Sequence, residues 1–239
     1  NRNFLFYWKS DDKTNFEEKI ITFFDIDKVL SFIKDYIVFS YKDDKLVKII
    51  LRQHQTRAVE KVLERSEEED KFHGLMRHTK GSGKTLTMIN EAQKIMNMDK
   101  FDKPTVILLI DRNELQDQLL KNLEGFGFKV EGDDAVVEKA MRKSHLKELL
   151  EDDYRGIVVS MIHKFDKLPE NLNTRKNVFV LIDEAHRTTS GNLGNYLMSA
   201  LPNATFFGFT GTPIDKIHYG KGTFKIFGVD DEEGYLDKY

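Results

Sequence analysis

Residues 72–96 read FHGLMRHTKGSGKTLTMINEAQKIM, and this stretch decides the fold. A short apolar run, a glycine-rich segment and an amphipathic run follow one another, which predicts a strand, a loop and a helix. Gly81 and Gly83 let the backbone curl so that successive N–H groups point inward, and the helix that follows adds its positive N-terminus. The pattern therefore predicts a loop that holds phosphate groups.

The residue types in this loop suit the phosphates of a nucleoside triphosphate. Lys84 can reach the β- and γ-phosphates, and the Thr85 hydroxyl can ligate Mg²⁺. His78 stands where the usual GxxxxGK(S/T) pattern begins with glycine, so the match to that pattern is incomplete. A glycine turn that only caps a helix is the alternative interpretation. The predicted nucleotide contacts are Thr79, Lys80, Gly81, Ser82, Gly83, Lys84 and Thr85.

Similar alternation of apolar and amphipathic runs continues on both sides of the loop. Uninterrupted apolar runs such as VILLI and VFVLI are typical of strands buried on both faces. We predict strands at residues 72–77, 105–110, 156–161, 177–182 and 204–209, and helices at residues 53–66, 85–98, 114–123, 139–150 and 193–201. Strand–helix–strand repetition indicates an α/β fold, with a parallel sheet flanked by helices.

A second motif, VFVLIDEAHR at residues 178–187, is an apolar strand that ends in two carboxylates. Side chains at the carboxyl end of a parallel strand project into the crevice where ligands bind. We predict that Asp183 holds Mg²⁺ and that Glu184 orients and deprotonates an attacking water. His186 is predicted to act on the γ-phosphate side as a coupling residue. The alternative is a helix N-cap, with Asp183 as the cap and Glu184 in the first turn.

A third motif, FFGFTGTP at residues 206–213, again joins a strand to a turn of glycine and threonine. The hydroxyl groups of Thr210 and Thr212 can form hydrogen bonds with the carboxylates of the second motif. We predict that Thr210, Gly211 and Thr212 couple the state of the acidic motif to the rest of the molecule.

Composition excludes several classes of protein. The chain has 239 residues, of which 40% are hydrophobic and 32% are charged. This composition is typical of a folded domain rather than a disordered chain. It has no cysteine, which excludes disulfide scaffolds, cysteine–zinc sites and thiol catalysis and is compatible with a cytoplasmic location. The sequence contains no apolar run long enough to predict a membrane span. The net charge of −3 gives no global sign of nucleic-acid binding.

The three motifs resemble those of superfamily 2 helicases and translocases, as motifs I, II and III. The resemblance then narrows to the restriction (R, HsdR) subunits of type I restriction–modification enzymes. DRNELQDQ at residues 111–118 is similar to their motif Ia, and ILRQHQTRAV at residues 50–59 is similar to their RxxQxxA segment. TFKIFG at residues 223–228 resembles the TxxxFG segment that leads towards the second motor lobe.

This resemblance implies a RecA-like P-loop NTPase lobe that uses ATP and Mg²⁺. It implies that Gln55 reads adenine and that Arg52 supports the nucleotide site. The implied enzyme is an ATP-dependent translocase of double-stranded DNA, part of a type I site-specific deoxyribonuclease. Its implied partners are methyltransferase (M) and specificity (S) subunits.

The resemblance also implies how the chain is organised. We expect a linker or packing arm at residues 1–48, the first motor lobe at residues 49–215, and the start of a linker to a second lobe at residues 216–239. That second lobe, with its arginine finger, and a nuclease domain would lie outside these residues, so we expect a piece of a longer protein. The ExK pattern at residues 17–19 lacks the strands of a nuclease core and is not predicted to be catalytic.

In the motors that this chain resembles, the strand ends opposite the nucleotide line a groove that follows the DNA backbone, so the resemblance implies contacts with DNA there. Phosphate contacts require only N–H groups, hydroxyls and a few cations. Arg112 in the Ia-like segment and Ser160 and Lys164 in the turn at residues 160–164 are the candidates. The alternative for Arg112 is a surface residue at a helix N-terminus, and the alternative for Lys164 is a residue of a solvated loop.

Two other functions remain open on the sequence alone. One is another superfamily 2 motor, such as a type III restriction subunit or an RNA helicase. The other is a P-loop module that binds a nucleotide without hydrolysing it.

Overall fold

We describe the protein from a computed structural model. The structure describes residues 17, 20, 21, 24–42, 45–68, 73–77, 79, 81–111, 114–188, 192–211 and 227. Within this part of the chain, none of the helices combines the length and apolar character needed to cross a membrane.

The first described elements form an arm. Helix α1 (Ile26–Tyr36) leads into a hairpin of two antiparallel strands, β1 (Ile37–Lys42) and β2 (Lys45–Ile50). The predicted boundary between residues 48 and 49 falls within β2.

The main body alternates helices and strands. Its helices and strands are, in chain order, α2 (Gln53–Ser66), β3 (His73–Arg77), α3 (Lys84–Met96), β4 (Thr105–Ile110), α4 (Glu114–Gly125), β5 (Val137–Lys139), α5 (Lys143–Glu151), β6 (Gly156–Met161), β7 (Val178–Asp183), α6 (Ala185–Thr188), α7 (Asn192–Ala200) and β8 (Thr205–Thr210). Two short 3-10 turns, Asp99–Phe101 and Ile162–Phe165, complete it. The sheet has the strand order β3-β8-β7-β4-β6-β5, and every pair in it is parallel. The predicted α/β class is confirmed.

The sheet is buried on both faces, as the uninterrupted apolar runs predict. All six residues of β4, β6, β7 and β8 are buried. Alternate side chains enter two separate cores: Val106 and Leu108 lie in one, and Ile107 and Leu109 lie in the other. This alternation is the period of two that a strand imposes.

One predicted helix is shorter than expected. The predicted span of residues 139–150 begins only at Lys143, because Val137–Lys139 forms the short edge strand β5 beside β6. Residues 137–139 read VEK, and three residues are too few to show the alternation that identifies a strand.

The arm packs against the sheet-flanking helices. The Ser40 hydroxyl donates to Asn122 Oδ1 at 2.7 Å, and the Lys94 amine lies 2.6 Å from an Asp35 carboxylate oxygen. Gly125 ends α4 under the hairpin, where a Cβ atom would lie 2.8 Å from the backbone oxygen of Phe39. These contacts hold the arm closely on α3 and α4.

A carboxyl group of helix α3 lies buried inside the protein. Glu91 of α3 is fully buried, and among the residues that the structure describes neither of its carboxyl oxygens has a hydrogen-bond partner. Burial raises the pKa of Glu91 well above its ordinary value, because removing the charged form from water is costly. The folded protein therefore holds this proton at pH values where the unfolded chain releases it.

We predict that Glu91 makes the folded state less stable as the pH rises. Above the pKa of about 4.5 that glutamate has in an unfolded chain, unfolding releases the proton, so the free energy of unfolding falls until the raised pKa is passed. Urea denaturation at several pH values between about 5 and 8 should show this fall in the wild type. Glu91→Gln and Glu91→Met, which cannot titrate, should both show a smaller fall. Identical slopes for all three proteins would contradict the assignment.

Candidate nucleotide-binding site

Three neighbouring strands bring the three sequence motifs to one edge of the sheet. Strand β8 lies between β3 and β7, with Arg77 opposite Thr210 and Asp183 opposite Phe209. All three strands are parallel, so the segments that follow them leave the sheet at the same edge. The glycine loop, the acidic motif and the threonine turn therefore meet, although they lie far apart in the sequence.

The glycine loop has the backbone that an anion site requires. Gly81 and Gly83 have φ angles of 78° and 87°, in the left-handed region that favours glycine. The Ser82 N–H donates to the Thr79 carbonyl at 3.1 Å, which closes a turn, and α3 begins directly afterwards at Lys84. The Ser82 hydroxyl is buried and, among the described residues, has no hydrogen-bond partner. A phosphate oxygen would satisfy it, so the loop fits such a ligand.

Lys84 and Glu184 form the central ion pair of the site. The Lys84 amine donates to Glu184 Oε1 at 2.7 Å, and the Lys84 side chain is only 11% exposed. Glu184 has a φ of 48°, an uncommon conformation for a residue with a side chain. Its backbone N–H donates to Asp183 Oδ1 at 3.0 Å. The sharp bend after β7 thus turns the Glu184 carboxylate towards the phosphate loop.

Asp183 is the buried carboxylate of the site. Burial raises its pKa above the ordinary value, Lys84 acts in the opposite direction, and the negative charges of Glu184 and Asp111 raise the pKa further. A divalent cation would favour the charged form of such a carboxyl group. Thr85 lies half-buried in the first turn of α3.

Few protein ligands are available to a cation here. Across the described ranges, no group of three or more His, Asp or Glu side chains could hold a metal ion by itself. Mg²⁺ usually binds through one or two side chains together with substrate phosphates and water. The predicted ligands Thr85 and Asp183 suit that mode of binding.

The acidic motif contacts the threonine turn directly. The His186 Nδ1 atom is hydrogen-bonded to the Thr210 hydroxyl at 2.8 Å and lies 3.4 Å from Glu184 Oε2. Thr210 is fully buried at the end of β8, and Gly211 follows it. His186 makes this contact, and the expected contacts of the Thr210 and Thr212 hydroxyls with the carboxylates stay a prediction.

Gln55 forms hydrogen bonds that support the phosphate loop. Its Nε2 atom donates to the Gly83 carbonyl at 3.1 Å and to the Thr87 hydroxyl at 3.2 Å, while its Oε1 accepts the Arg52 backbone N–H at 2.9 Å. Both hydrogens of the amide are thus donated within the chain. Recognition of adenine by Gln55 stays a prediction, with Oε1 as the atom that has a second lone pair to offer. A role for the exposed side chain of Arg52 also stays a prediction.

Three residues that are not predicted from the sequence are part of this site. They are His54, which contacts the Ser82 carbonyl, Thr87, which contacts Gln55, and Asp111, which acts electrostatically on Asp183. Asp111 follows β4, and only the sheet order shows that β4 neighbours β7. His54 adjoins the predicted residue Gln55, and Thr87 lies two positions after the predicted residue Thr85. Their residue types alone do not identify them as contacts of the phosphate loop.

Two of the predicted DNA contacts are not at the surface. Ser160 is fully buried within β6, and the Lys164 amine donates to the Ala140 carbonyl in a buried position. Burial, followed by the nearby charge of Lys139, lowers the pKa of Lys164. These positions do not support contacts with a DNA backbone, so we do not propose Ser160 and Lys164 for that role.

Several predicted residues lie outside the described part of the chain. They are Lys80 of the phosphate loop, Arg112 of the Ia-like segment, Thr212 of the threonine turn, and residues 223–228 except Phe227. Phe227 is buried in the same core as Ala185 and Phe206.

Comparison with known proteins places this site in a family. A model of the SWI2/SNF2 ATPase matches residues 54–239, a range that contains all three motifs. The chain belongs to the SWI2/SNF2 ATPase family. The predicted phosphate loop and the acidic motif of this SWI2/SNF2 ATPase thus lie within the matched ATPase domain.

The SWI2/SNF2 ATPase chain is also similar to endonuclease subunits of type I restriction enzymes. It is 31% identical over 227 residues to the HindI subunit of Haemophilus influenzae, which covers 84% of this chain and 21% of that protein. It is 30% identical over 240 residues to the SsaAORF53P subunit of Staphylococcus saprophyticus. That match covers 95% of this chain and 24% of the relative. The resemblance inferred from the motifs is confirmed. The chain spans less than a quarter of the length of these relatives.

Solved structures with the same fold include a helicase and a SWI2/SNF2 ATPase core. The UvsW helicase from bacteriophage T4 matches with a TM-score of 0.54 at 16% identity, over 82% of this chain and 61% of that one. The Sulfolobus solfataricus SWI2/SNF2 ATPase core in complex with dsDNA matches with a TM-score of 0.53 at 17% identity. The match covers 81% of this chain and 36% of that one. The predicted RecA-like lobe is confirmed as the fold.

We predict that alanine at Gly83 destabilises the protein more than alanine at Gly81. Both glycines have a positive φ, but a Cβ at Gly83 would lie 2.7 Å from Gln55 Nε2, whereas a Cβ at Gly81 would meet no atom of the described residues within 4 Å. Gly81→Ala should cost about 1–2 kcal/mol from its backbone conformation. Gly83→Ala should cost about 1 kcal/mol more, because the Gln55 amide must leave its partners.

Urea denaturation of both variants, alone and combined with Gln55→Ala, separates the two effects. In the Gln55→Ala background the difference between the two glycine variants should disappear. A difference that persists there would show that Gln55 is not its cause.

Proposed function

We propose that this chain binds ATP with Mg²⁺ at the edge formed by β3, β8 and β7, as the first motor lobe of a type I restriction R subunit. The observation that carries this proposal is the Lys84–Glu184 ion pair, because it joins a phosphate loop to a carboxylate at 2.7 Å. A glycine turn that only capped a helix would not require an ion pair between a half-buried lysine and a carboxylate that follows a separate strand.

The ion pair supports a specific sequence of events. A phosphate in the loop would compete with Glu184 for the Lys84 amine. Once Lys84 binds phosphate, the Glu184 carboxylate is released to accept a proton from water. That water attacks the γ-phosphorus, the bond to the bridging oxygen breaks, and ADP and phosphate are the products. Glu184 is thus the general base in this proposal.

The remaining motif residues have supporting roles in the proposal. Thr85 and Asp183 would hold Mg²⁺, which neutralises charge on the phosphates when bound. His186 would transmit the position of Glu184 to Thr210, since its Nδ1 atom lies close to both side chains. Gly211 and Thr212 would carry that change away from the site.

We further propose that hydrolysis drives movement along double-stranded DNA. Support comes from the type I restriction endonuclease subunits to which the chain is similar. Methyltransferase and specificity subunits would be its partners, and cleavage would belong to a nuclease domain outside these residues. Arg112 remains the proposed DNA contact within this chain.

An ATPase assay with polynucleotides tests this function. It uses the complete gene product, together with its methyltransferase and specificity subunits. Stimulation by unmethylated duplex DNA and not by RNA is the expected result. Stimulation by RNA would favour an RNA helicase, and nucleotide binding without turnover would favour a non-hydrolysing module. The 239 residues alone should hydrolyse ATP very slowly, because the proposed arginine finger belongs to a second lobe.

We predict opposite effects for two substitutions in the ion pair. Lys84→Ala should abolish measurable MgATP binding, because it removes the cation that holds the phosphates. Glu184→Gln should preserve binding and lower hydrolysis by at least about 100-fold, the range typical of a lost general base. Calorimetric titration measures the first effect, and phosphate release by the complete gene product measures the second. Normal turnover in Glu184→Gln would exclude Glu184 as the base.

A further inference from the structure

Two consecutive side chains of α2 hold two consecutive carbonyl groups of the phosphate loop. His54 Nε2 lies 3.1 Å from the Ser82 carbonyl oxygen, and Gln55 Nε2 lies 3.1 Å from the Gly83 carbonyl oxygen. A carbonyl oxygen can only accept a hydrogen bond, so the His54 ring must carry a hydrogen on Nε2. The start of α2 thus binds the outer side of the loop.

Holding a carbonyl group also fixes the N–H group of the same peptide. The described peptide bonds include no cis bond, and in a planar trans peptide the C=O and N–H groups point in opposite directions. The Ser82 carbonyl shares its peptide with the Gly83 N–H, and the Gly83 carbonyl shares its peptide with the Lys84 N–H. Drawing both carbonyls towards α2 therefore directs both N–H groups away from α2, into the phosphate loop.

The two carbonyls differ in how firmly they are held. The Gly83 carbonyl also accepts hydrogen bonds from the Thr87 N–H at 3.2 Å and the Thr87 hydroxyl at 3.3 Å. It should keep its direction even if Gln55 is lost. Among the described residues, the hydrogen bond to the Ser82 carbonyl comes from His54. Loss of His54 should therefore change the direction of the Gly83 N–H. Loss of Gln55 should change the direction of the Lys84 N–H less.

We propose that His54 is a positioning residue for phosphate binding, which acts through the Ser82 carbonyl to aim the Gly83 N–H at the phosphate. The proposal rests on the proposed nucleotide function and adds a residue to it. His54 does not touch the ligand in this account. Its contribution should therefore appear only with ligands that carry phosphate.

The test compares three ligands on the 239-residue chain: MgADP, inorganic pyrophosphate with Mg²⁺, and adenosine. His54→Phe keeps a flat ring but removes the donor, whereas His54→Gln keeps an N–H near the position of Nε2. His54→Phe should weaken MgADP and pyrophosphate binding by about three- to tenfold, the equivalent of one net hydrogen bond, and leave adenosine binding unchanged. His54→Gln should restore most of the loss.

A matched control removes a different hydrogen bond between histidine and backbone. His145 accepts the Met141 N–H at 3.3 Å, outside the phosphate loop, and His145→Phe should leave binding of all three ligands unchanged. Urea denaturation of each variant shows that the comparison is made between folded proteins. The carbonyl carbon resonance of Ser82 in NMR spectra should shift in His54→Phe and return in His54→Gln.

The possible outcomes separate this inference from the function on which it rests. If the wild type binds neither MgADP nor pyrophosphate, both the nucleotide function and this inference fail. If the wild type binds them and His54→Phe binds them equally well, the positioning role of His54 is wrong while the nucleotide function stands. Equal loss of adenosine binding, or no rescue by glutamine, would also overturn the positioning role.

Discussion

The site depends on the adjacency of three parallel strands. β3, β8 and β7 lie side by side, so the loop, the threonine turn and the acidic motif emerge at one edge of the sheet. Lys84 and Glu184 are 100 residues apart in sequence, and only this strand order brings them within 2.7 Å. The two cores on either face of the sheet hold the strands in that order. The chemistry of the edge is thus a consequence of how the sheet is packed.

Within that edge, the charges are arranged for a ligand that is both anionic and accompanied by a cation. The Lys84 amine and the loop N–H groups suit phosphate oxygens, while Asp183, Glu184 and Asp111 place negative charge beside them. Phosphate alone would be repelled by these carboxylates. A phosphate chain that brings Mg²⁺ satisfies both sets of groups. This balance is why the site favours a metal–nucleotide complex over a simple anion.

The sequence predicted every strand of the sheet except β5, and it identified the three motifs, because apolar runs and glycine spacing are local signals. It could not predict the strand order, which arises from long-range packing, so the role of Asp111 beside Asp183 was missed. The contact of His54 with Ser82 was missed for a related reason, since a helix start and a loop meet only after folding. Ser160 and Lys164 were misjudged because a polar residue type does not reveal whether its side chain turns into the core.

The central claim is that nucleotide phosphate and Glu184 compete for Lys84. A crystal structure of the chain with Mg²⁺ and a non-hydrolysable ATP analogue tests it most directly. We expect the Lys84 amine to lie within hydrogen-bond distance of a β- or γ-phosphate oxygen and to have left Glu184. A structure in which the analogue is bound while Lys84 remains on Glu184, away from every phosphate, would contradict it.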